Sequence, residues 1–119
     1  MEQVLVLGAS LNPGRYSNMA MLKLKQYQYL VYGLGIEKGE VDGMEIQTQP
    51  IKINNLYAVT VYLKPSNQKS YYDYITALQP GKVIFNPGAE NREFELLLTS
   101  HGIPYERACT LVLLSLGKF

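Results

Sequence analysis

Apolar residues in this chain fall in short unbroken runs separated by turn formers. Val4 to Leu7 is such a run, ending at Gly8. A run without alternation predicts a strand buried on both faces, as in a parallel sheet. Tyr29 to Leu34 predicts a second strand, bounded by Gly33 and Gly35. Ala58 to Leu63, rich in β-branched residues and stopped at Pro65, predicts a third. Val83 to Phe85 predicts a fourth, and Ile103 to Arg107 a fifth in which Pro104 favours an edge position.

Between these runs the spacing becomes helical. Met19, Leu22, Leu24 and Tyr27 give an imperfect apolar face over 19–27, with Lys23, Lys25 and Gln26 for the solvent and Ser17 or Asn18 as the cap. Asn67 is placed to cap a helix from about Gln68 to Leu78, which Pro80-Gly81 ends. Asn91 is placed to cap a helix from about Arg92 to Ser100, with Phe94, Leu97 and Leu98 inward and Gly102 closing it. Thr110 to Leu116 reads as a last helical turn or a closing segment. The stretch 37–57 is broken by Gly39, Gly43, Pro50, Asn54 and Asn55. It predicts no full helix and at most short strands at Met44–Thr48 and Ile51–Ile53.

Strands alternating with helices imply parallel pairing through crossover connections. The expectation is one α/β, Rossmann-like domain over 1–119. Its sheet is mainly parallel, with five strands in the order 3-2-1-4-5 and helices on both faces. Ligands of such sheets bind outside the carboxyl ends of the strands, here near the switch between the predicted first and fourth.

Composition narrows the partners. The 119 residues suit one domain, and 11 basic against 10 acidic residues leave a net charge of +1. No global field draws the chain to nucleic acid or to a membrane surface. An anionic ligand must be held by local geometry. Cys109 is the only cysteine, so a disulfide framework is out and a reducing, cytoplasmic setting is expected. The first residues do not read as a signal peptide. No apolar run approaches the roughly 20 residues that cross a bilayer.

Three groups sit at predicted strand exits: Gly8-Ala9-Ser10 with the loop Asn12-Pro13-Gly14-Arg15-Tyr16-Ser17, then Leu63-Lys64-Pro65, then Asn86-Pro87-Gly88. Glycines let a ligand approach the backbone, and the following helix aims free N–H groups at the same place. Ser10 and Ser17 add hydroxyls, and Arg15 adds a guanidinium fork suited to phosphate oxygens. The G-x-G-x-x-G fingerprint is absent, because Ser10 and Pro13 occupy its later positions, and the P-loop pattern is absent too. Glu37 lies near the place of an acidic ribose hook, with Lys38 directly after it.

The wording of the first loop resembles the bacterial CoA-binding domain family, the stand-alone relatives of the N-terminal domain of the succinyl-CoA synthetase α subunit. Val83 to Asn91 and Ala108 to Leu114 look like the same family's later segments. The resemblance implies a Rossmann-like fold that binds coenzyme A or an acyl-CoA. On it, Gly8, Ala9 and Ser10 line the cofactor's phosphates, and Arg15, Tyr16 and Ser17 complete that wall. Leu63, Lys64 and Pro65 flank the adenine side, and Asn86, Pro87 and Gly88 border the pantetheine path. The region 37–57 is shorter than in longer relatives. The synthetase's ligase domain and phosphohistidine segment are not in this sequence, so its activity does not carry over.

Blander roles stand beside these. Arg15 is also an ordinary loop charge, Tyr16 a packing residue, Ser10 and Ser17 turn and cap residues, and Asn86-Pro87-Gly88 a turn. His101 sits where a helix C-terminus uses a cap. Cys109 suits a buried small apolar role better than a nucleophile's. Tyr71 and Tyr74 share a helical face fit for packing. Glu90, Glu93 and Glu95 complement a helix start. No catalytic group stands out, and the leading expectation is a CoA-binding module. The rival expectations are a small NAD(P)-dependent oxidoreductase, a CoA-dependent transferase, or a regulatory module that senses an acyl-CoA. The tyrosine-bearing helix and the apolar C-terminus are candidate surfaces for a homodimer or another protein partner.

Overall fold

A computed structural model describes residues 1–119. In chain order its elements are β1 (Gln3–Leu7), α1 (Tyr16–Gln26), β2 (Leu30–Leu34), β3 (Gly39–Val41), β4 (Met44–Gln47), β5 (Leu56–Val61), α2 (Tyr72–Leu78), β6 (Val83–Phe85), α3 (Arg92–Ser100), β7 (Tyr105–Arg107) and α4 (Thr110–Ser115). All seven strands form one sheet in the order β3-β4-β2-β1-β5-β6-β7. Every pairing is parallel except the β3–β4 hairpin.

The α/β, Rossmann-like class holds, but the expected sheet is corrected in two ways. It has seven strands, because the interrupted stretch 37–57 forms a hairpin. Asp42 and Gly43 turn that hairpin with φ of 47° and 84°, the left-handed backbone that a tight two-residue turn requires. The order 3-2-1-4-5 also fails as assigned. The outer place beside β2 belongs to β4, whereas the run at 56–61 lies on the other side of β1, with Leu5 opposite Val59 and Leu7 opposite Val61. The sheet therefore reverses between β1 and β5, not between β1 and the strand at Val83–Phe85. Ile51–Ile53 is not a strand.

Side-chain alternation divides the core between two faces. Val4, Val6, Ala58 and Ile84 face α1 and α4, where Met21, Leu24, Leu113 and Leu114 meet them. Leu5, Leu7, Val59, Val61, Val83 and Phe85 face α2 and α3, against Ile75, Phe94 and Leu98. The central strands are apolar on both sides for this reason.

Helix limits differ from expectation where side chains do other work. α1 begins at Tyr16, so Ser17 and Asn18 lie inside it, and Arg15 is its N-cap with no side-chain cap bond. The 3-10 turn Lys69–Tyr71 replaces the start of the expected second helix, another 3-10 turn, Pro65–Asn67, precedes it, and Asn67 caps nothing. Asn91 does cap α3, its side chain accepting from Phe94 N at 3.0 Å. No helix is long and apolar enough to cross a membrane.

Candidate functional site

The exits of β1, β2 and β5 meet at backbone contact. Gly8 has φ of 92°, and a Cβ there would lie 3.1 Å from Leu63 N and Tyr62 C. A Cβ on Gly35 would lie 2.3 Å from Ala9 O, so only glycine lets the β2 exit pass the β1 exit. The amides of Gly8 and Ala9 both donate to Leu34 O, at 2.8 and 3.0 Å. Those two residues thus offer a ligand close approach rather than donors.

The loop beyond is fixed by its own side chains. Asn12 N donates to Ser10 Oγ at 3.1 Å, and Gly14 N to Asn12 Oδ1 at 2.9 Å. Asn18, reaching back from α1, donates to Ser10 O at 2.9 Å. The N–H groups of Ser10, Leu11, Tyr16 and Ser17 are left with no acceptor in the protein. Arg15 is exposed and its guanidinium makes no ion pair. Free amides, two hydroxyls and an unpaired guanidinium around one helix start are a donor set for an anion.

The exit of β6 is chemically different. Gly88 N is taken by the Glu90 carboxylate at 2.9 Å, and Ala89 N by Asn86 O at 2.8 Å. No amide of that turn is free for an anion, and a carboxylate stands beside it. Asn86 itself is buried and fully engaged. Its Nδ2 donates to Thr60 Oγ1 at 2.7 Å and to Val61 O at 2.9 Å, while its Oδ1 accepts from Thr110 N at 2.9 Å. Thr60 and Thr110 share a hydrogen bond of 2.7 Å.

Between the β5 and β6 exits and the starts of α1 and α4 lies a cavity of about 260 Å³, lined by Tyr16, Tyr62, Asn86, Pro87, Cys109 and Leu111. The Tyr62 hydroxyl is buried there with no hydrogen-bond partner. Burial raises its pKa from 10.0 to about 12. The Thr60 and Thr110 hydroxyls, paired with each other, temper the rise without completing a bond to it.

A model of the family described as CoA binding domain matches residues 2–115. The chain belongs to the CoA binding domain family. A crystal structure of an uncharacterized protein matches it at 43% identity with a TM-score of 0.96, covering 100% of this chain and 98% of that one. A protein from Thermus thermophilus, cell-free ID.343, matches at 25% identity and TM-score 0.86, covering 99% and 90%. An acetyl-coenzyme A synthetase 1 from Ca. Korarchaeum cryptofilum, described as dinucleotide forming and in complex with phosphate and ADP, shares the fold at 14% identity and TM-score 0.70. The chain covers 25% of that protein, and 87% of this chain is matched. No curated protein matches the chain.

The residues expected from the sequence to serve a CoA binding domain are divided by the structure into two walls. Gly8, Ala9, Ser10, Arg15, Tyr16 and Ser17 gather at the β1 exit. Asn86, Pro87 and Gly88 stand across the cavity from them. Leu63, Lys64 and Pro65 are the displaced group. Because β5 lies beside β1, they stand against Gly8 instead of outside β2.

Tyr62, Thr60 and Thr110 were missed from the sequence. A signal for Tyr62 existed: it continues the alternation Ala58, Thr60 onto the α4 face. Gln68 was missed too. It is fully buried, and its Nε2 donates to Leu63 O and Ala89 O, both at 2.8 Å, tying the β5 and β6 exits together.

Other singled-out residues do local work. His101 Nδ1 lies 3.0 Å from Leu97 O, at the α3 C-terminus. Glu95, buried, holds Arg107 through bonds of 2.6 and 2.9 Å, which raise the Arg107 pKa and fasten the β7 edge to α3. The Tyr74 hydroxyl accepts from Ile51 N at 3.2 Å and donates to Ile51 O at 2.5 Å. No group of His, Cys, Asp and Glu is arranged to hold a metal.

Proposed function

We propose that this chain binds coenzyme A or an acyl-CoA as a binding module, with no catalytic group of its own. The observation that carries the reading is the set of unsatisfied amides at Ser10, Leu11, Tyr16 and Ser17 beside an unpaired Arg15, in a chain of the CoA binding domain family. Backbone N–H groups and a guanidinium stabilise a diphosphate, and the positive end of α1 adds to them. Ser10 and Ser17 hydroxyls complete that wall, and Gly8 and Ala9 allow the diphosphate to approach.

The two other parts of the ligand follow from charge and polarity. Adenosine extends toward the β2 exit, where Ile36 is 97% exposed and Glu37 and Lys38 follow. The pantetheine arm runs the other way, past Leu63, Lys64 and Pro65 to Asn86, Pro87 and Gly88. A neutral arm suits the β6 turn, whose amides are taken and whose neighbour is Glu90. In this reading Leu63, Lys64 and Pro65 border the middle of the ligand. The setting is cytoplasmic and the ligand is a small molecule, not nucleic acid or a membrane. A homodimer through the apolar outer face of α4 is compatible with it.

The test is thermal stability of the chain with CoA, acetyl-CoA, ADP, NAD(H) and NADP(H), repeated on Arg15→Ala. A ligand at about 100 times its dissociation constant stabilises the native state by roughly 2.7 kcal/mol, which is readily seen as a shift in Tm. A shift with CoA that shrinks in Arg15→Ala supports the reading. A shift with a nicotinamide dinucleotide and none with CoA overturns it in favour of an oxidoreductase.

A further inference from the structure

The loop after β1, which carries the free amides, is bedded on glycines of the neighbouring strands. Ala9 lies over β2: a Cβ on Gly33 would stand 3.0 Å from Ala9 Cβ, and one on Gly35 would stand 2.3 Å from Ala9 O. Leu11 lies over β3: a Cβ on Gly39 would stand 2.7 and 2.8 Å from the two Leu11 methyls. Leu11 is half-buried against the apolar cluster to which Val41, Met44 and Ile46 of the β3–β4 hairpin belong. The loop is therefore held from two sides, by Asn18 of α1 donating to Ser10 O and by the hairpin under Leu11. The hairpin is joined to its surroundings in turn. Lys25 of α1 pairs with Asp42 at 3.2 Å, and Gly35 N at the β2 exit donates to Gln47 O at 2.9 Å.

We propose that the β3–β4 hairpin positions the loop after β1 for its ligand, acting through the Leu11 side chain seated on Gly39. The proposal rests on the CoA reading and deepens it, because it names what aims the Ser10 and Leu11 amides at a diphosphate. A free N–H serves an anion only in the right direction, since a hydrogen bond weakens steeply below about 120°. Bonds within the loop fix Ser10, Asn12 and Gly14 to one another. The Leu11 backbone makes no hydrogen bond in the protein, so its side chain is its anchor. Anchoring by apolar packing leaves the amide free for the ligand, which anchoring by a hydrogen bond to that amide would not. Gly39 has no left-handed backbone to preserve, so the missing Cβ is its contribution: it leaves the space that Leu11 fills. Leu11 and Gly39 are thus positioning residues on the hairpin side, as Asn18 is on the α1 side.

The experiment is calorimetric titration with CoA and with ADP, which share the diphosphate, and a Tm for each variant. The full chain is compared with Leu11→Ala, Leu11→Met, Gly39→Ala and the double variant Gly39→Ala with Leu11→Ala. Leu11→Ala unseats the loop and binds both ligands about three- to tenfold more weakly, the worth of one neutral hydrogen bond. Leu11→Met, long enough to reach Gly39, regains most of that loss. Gly39→Ala weakens both ligands by a similar factor at a nearly unchanged Tm, because the Leu11 methyls are a flexible end that swings aside and takes the loop with it. The double variant binds no more weakly than Leu11→Ala alone, since the new methyl then meets no leucine. Full affinity in folded Leu11→Ala and Gly39→Ala overturns the proposal. So do losses that multiply in the double variant, which make the two residues independent. Failure of the unmodified chain to bind either ligand sinks the CoA reading itself, a result distinct from both.

Discussion

Asn86 Oδ1 accepts the amide hydrogen of Thr110 at 2.9 Å, so the start of α4 is capped by a side chain from the exit of β6, 24 residues earlier. Cys109, the residue in the N-cap position, contributes no side-chain bond. Lys23 on α1 holds the same short helix from the other side, donating to Leu111 O at 3.1 Å. The roof of the cavity is thus fixed by contacts from two distant elements rather than by its own six residues.

Asn86→Ala is the strongest test of that arrangement. It leaves Thr110 N and Thr60 Oγ1 without Asn86, both in buried residues. The expected loss is roughly 1–3 kcal/mol, from the orphaned Thr110 amide, because Thr60 Oγ1 keeps its bond to Thr110 Oγ1. Urea unfolding measures it, and a loss under about 0.5 kcal/mol, the scale of an ordinary surface change, refutes the network's role.

Gln68→Leu probes the tie between the β5 and β6 exits. The substitution keeps an apolar side chain in place but strips Leu63 O and Ala89 O of their donor. A destabilisation of about 1–3 kcal/mol is expected, with Ser66→Ala on the exposed 3-10 turn close to neutral. Equal Tm values for the two variants exclude the tie.

Alkaline pH has a defined effect through Tyr62. Its folded pKa, about 12, lies above the ordinary value of 10.0 because burial disfavours the phenolate. The neutral hydroxyl is therefore the form the fold favours. Its contribution is fully present below pH 10 and is lost as pH rises from 10 through 12, reaching about 2 kcal/mol. Tyr29, Tyr72 and Tyr74 are raised by burial as well and lose stability in the same direction. Tyr62→Phe, which removes the unpartnered hydroxyl, should melt above the chain by a constant margin below pH 10 and by a widening margin above it.

Arg15→Ala is expected to weaken CoA about tenfold at low salt, the scale of one exposed charge-assisted hydrogen bond. Near 1 M salt the difference narrows, since screening reaches exposed charges first. Titration at two ionic strengths reads both quantities, and a salt-independent difference argues against contact with the phosphates.

The sequence by itself determined the elements whose formation is local. The unbroken runs Val4–Leu7 and Val83–Phe85 are strands because burial on both faces demands apolar residues at every position. Asn91 starts α3 and Gly102 follows its end because capping acts within a few residues. The loop after β1 was legible as a turn because Ser10 and Asn12 accept from neighbours in the chain. The β3–β4 hairpin was within reach too, since Asp42-Gly43 is a two-residue turn signal between short apolar runs.

Only the tertiary structure decided which strands became neighbours. The runs 44–47 and 56–61 are both fit for a place beside a central strand, and no local interaction selects between the free edge of β2 and that of β1. That choice moved Leu63–Pro65 next to Gly8. It also placed Tyr62, Asn86 and Cys109, which are 24 and 23 residues apart in sequence, around one cavity. A hydroxyl's lack of a partner is likewise a property of everything packed around it. No short window of sequence contains that information, because Thr110, one of the two hydroxyls beside Tyr62, comes from α4.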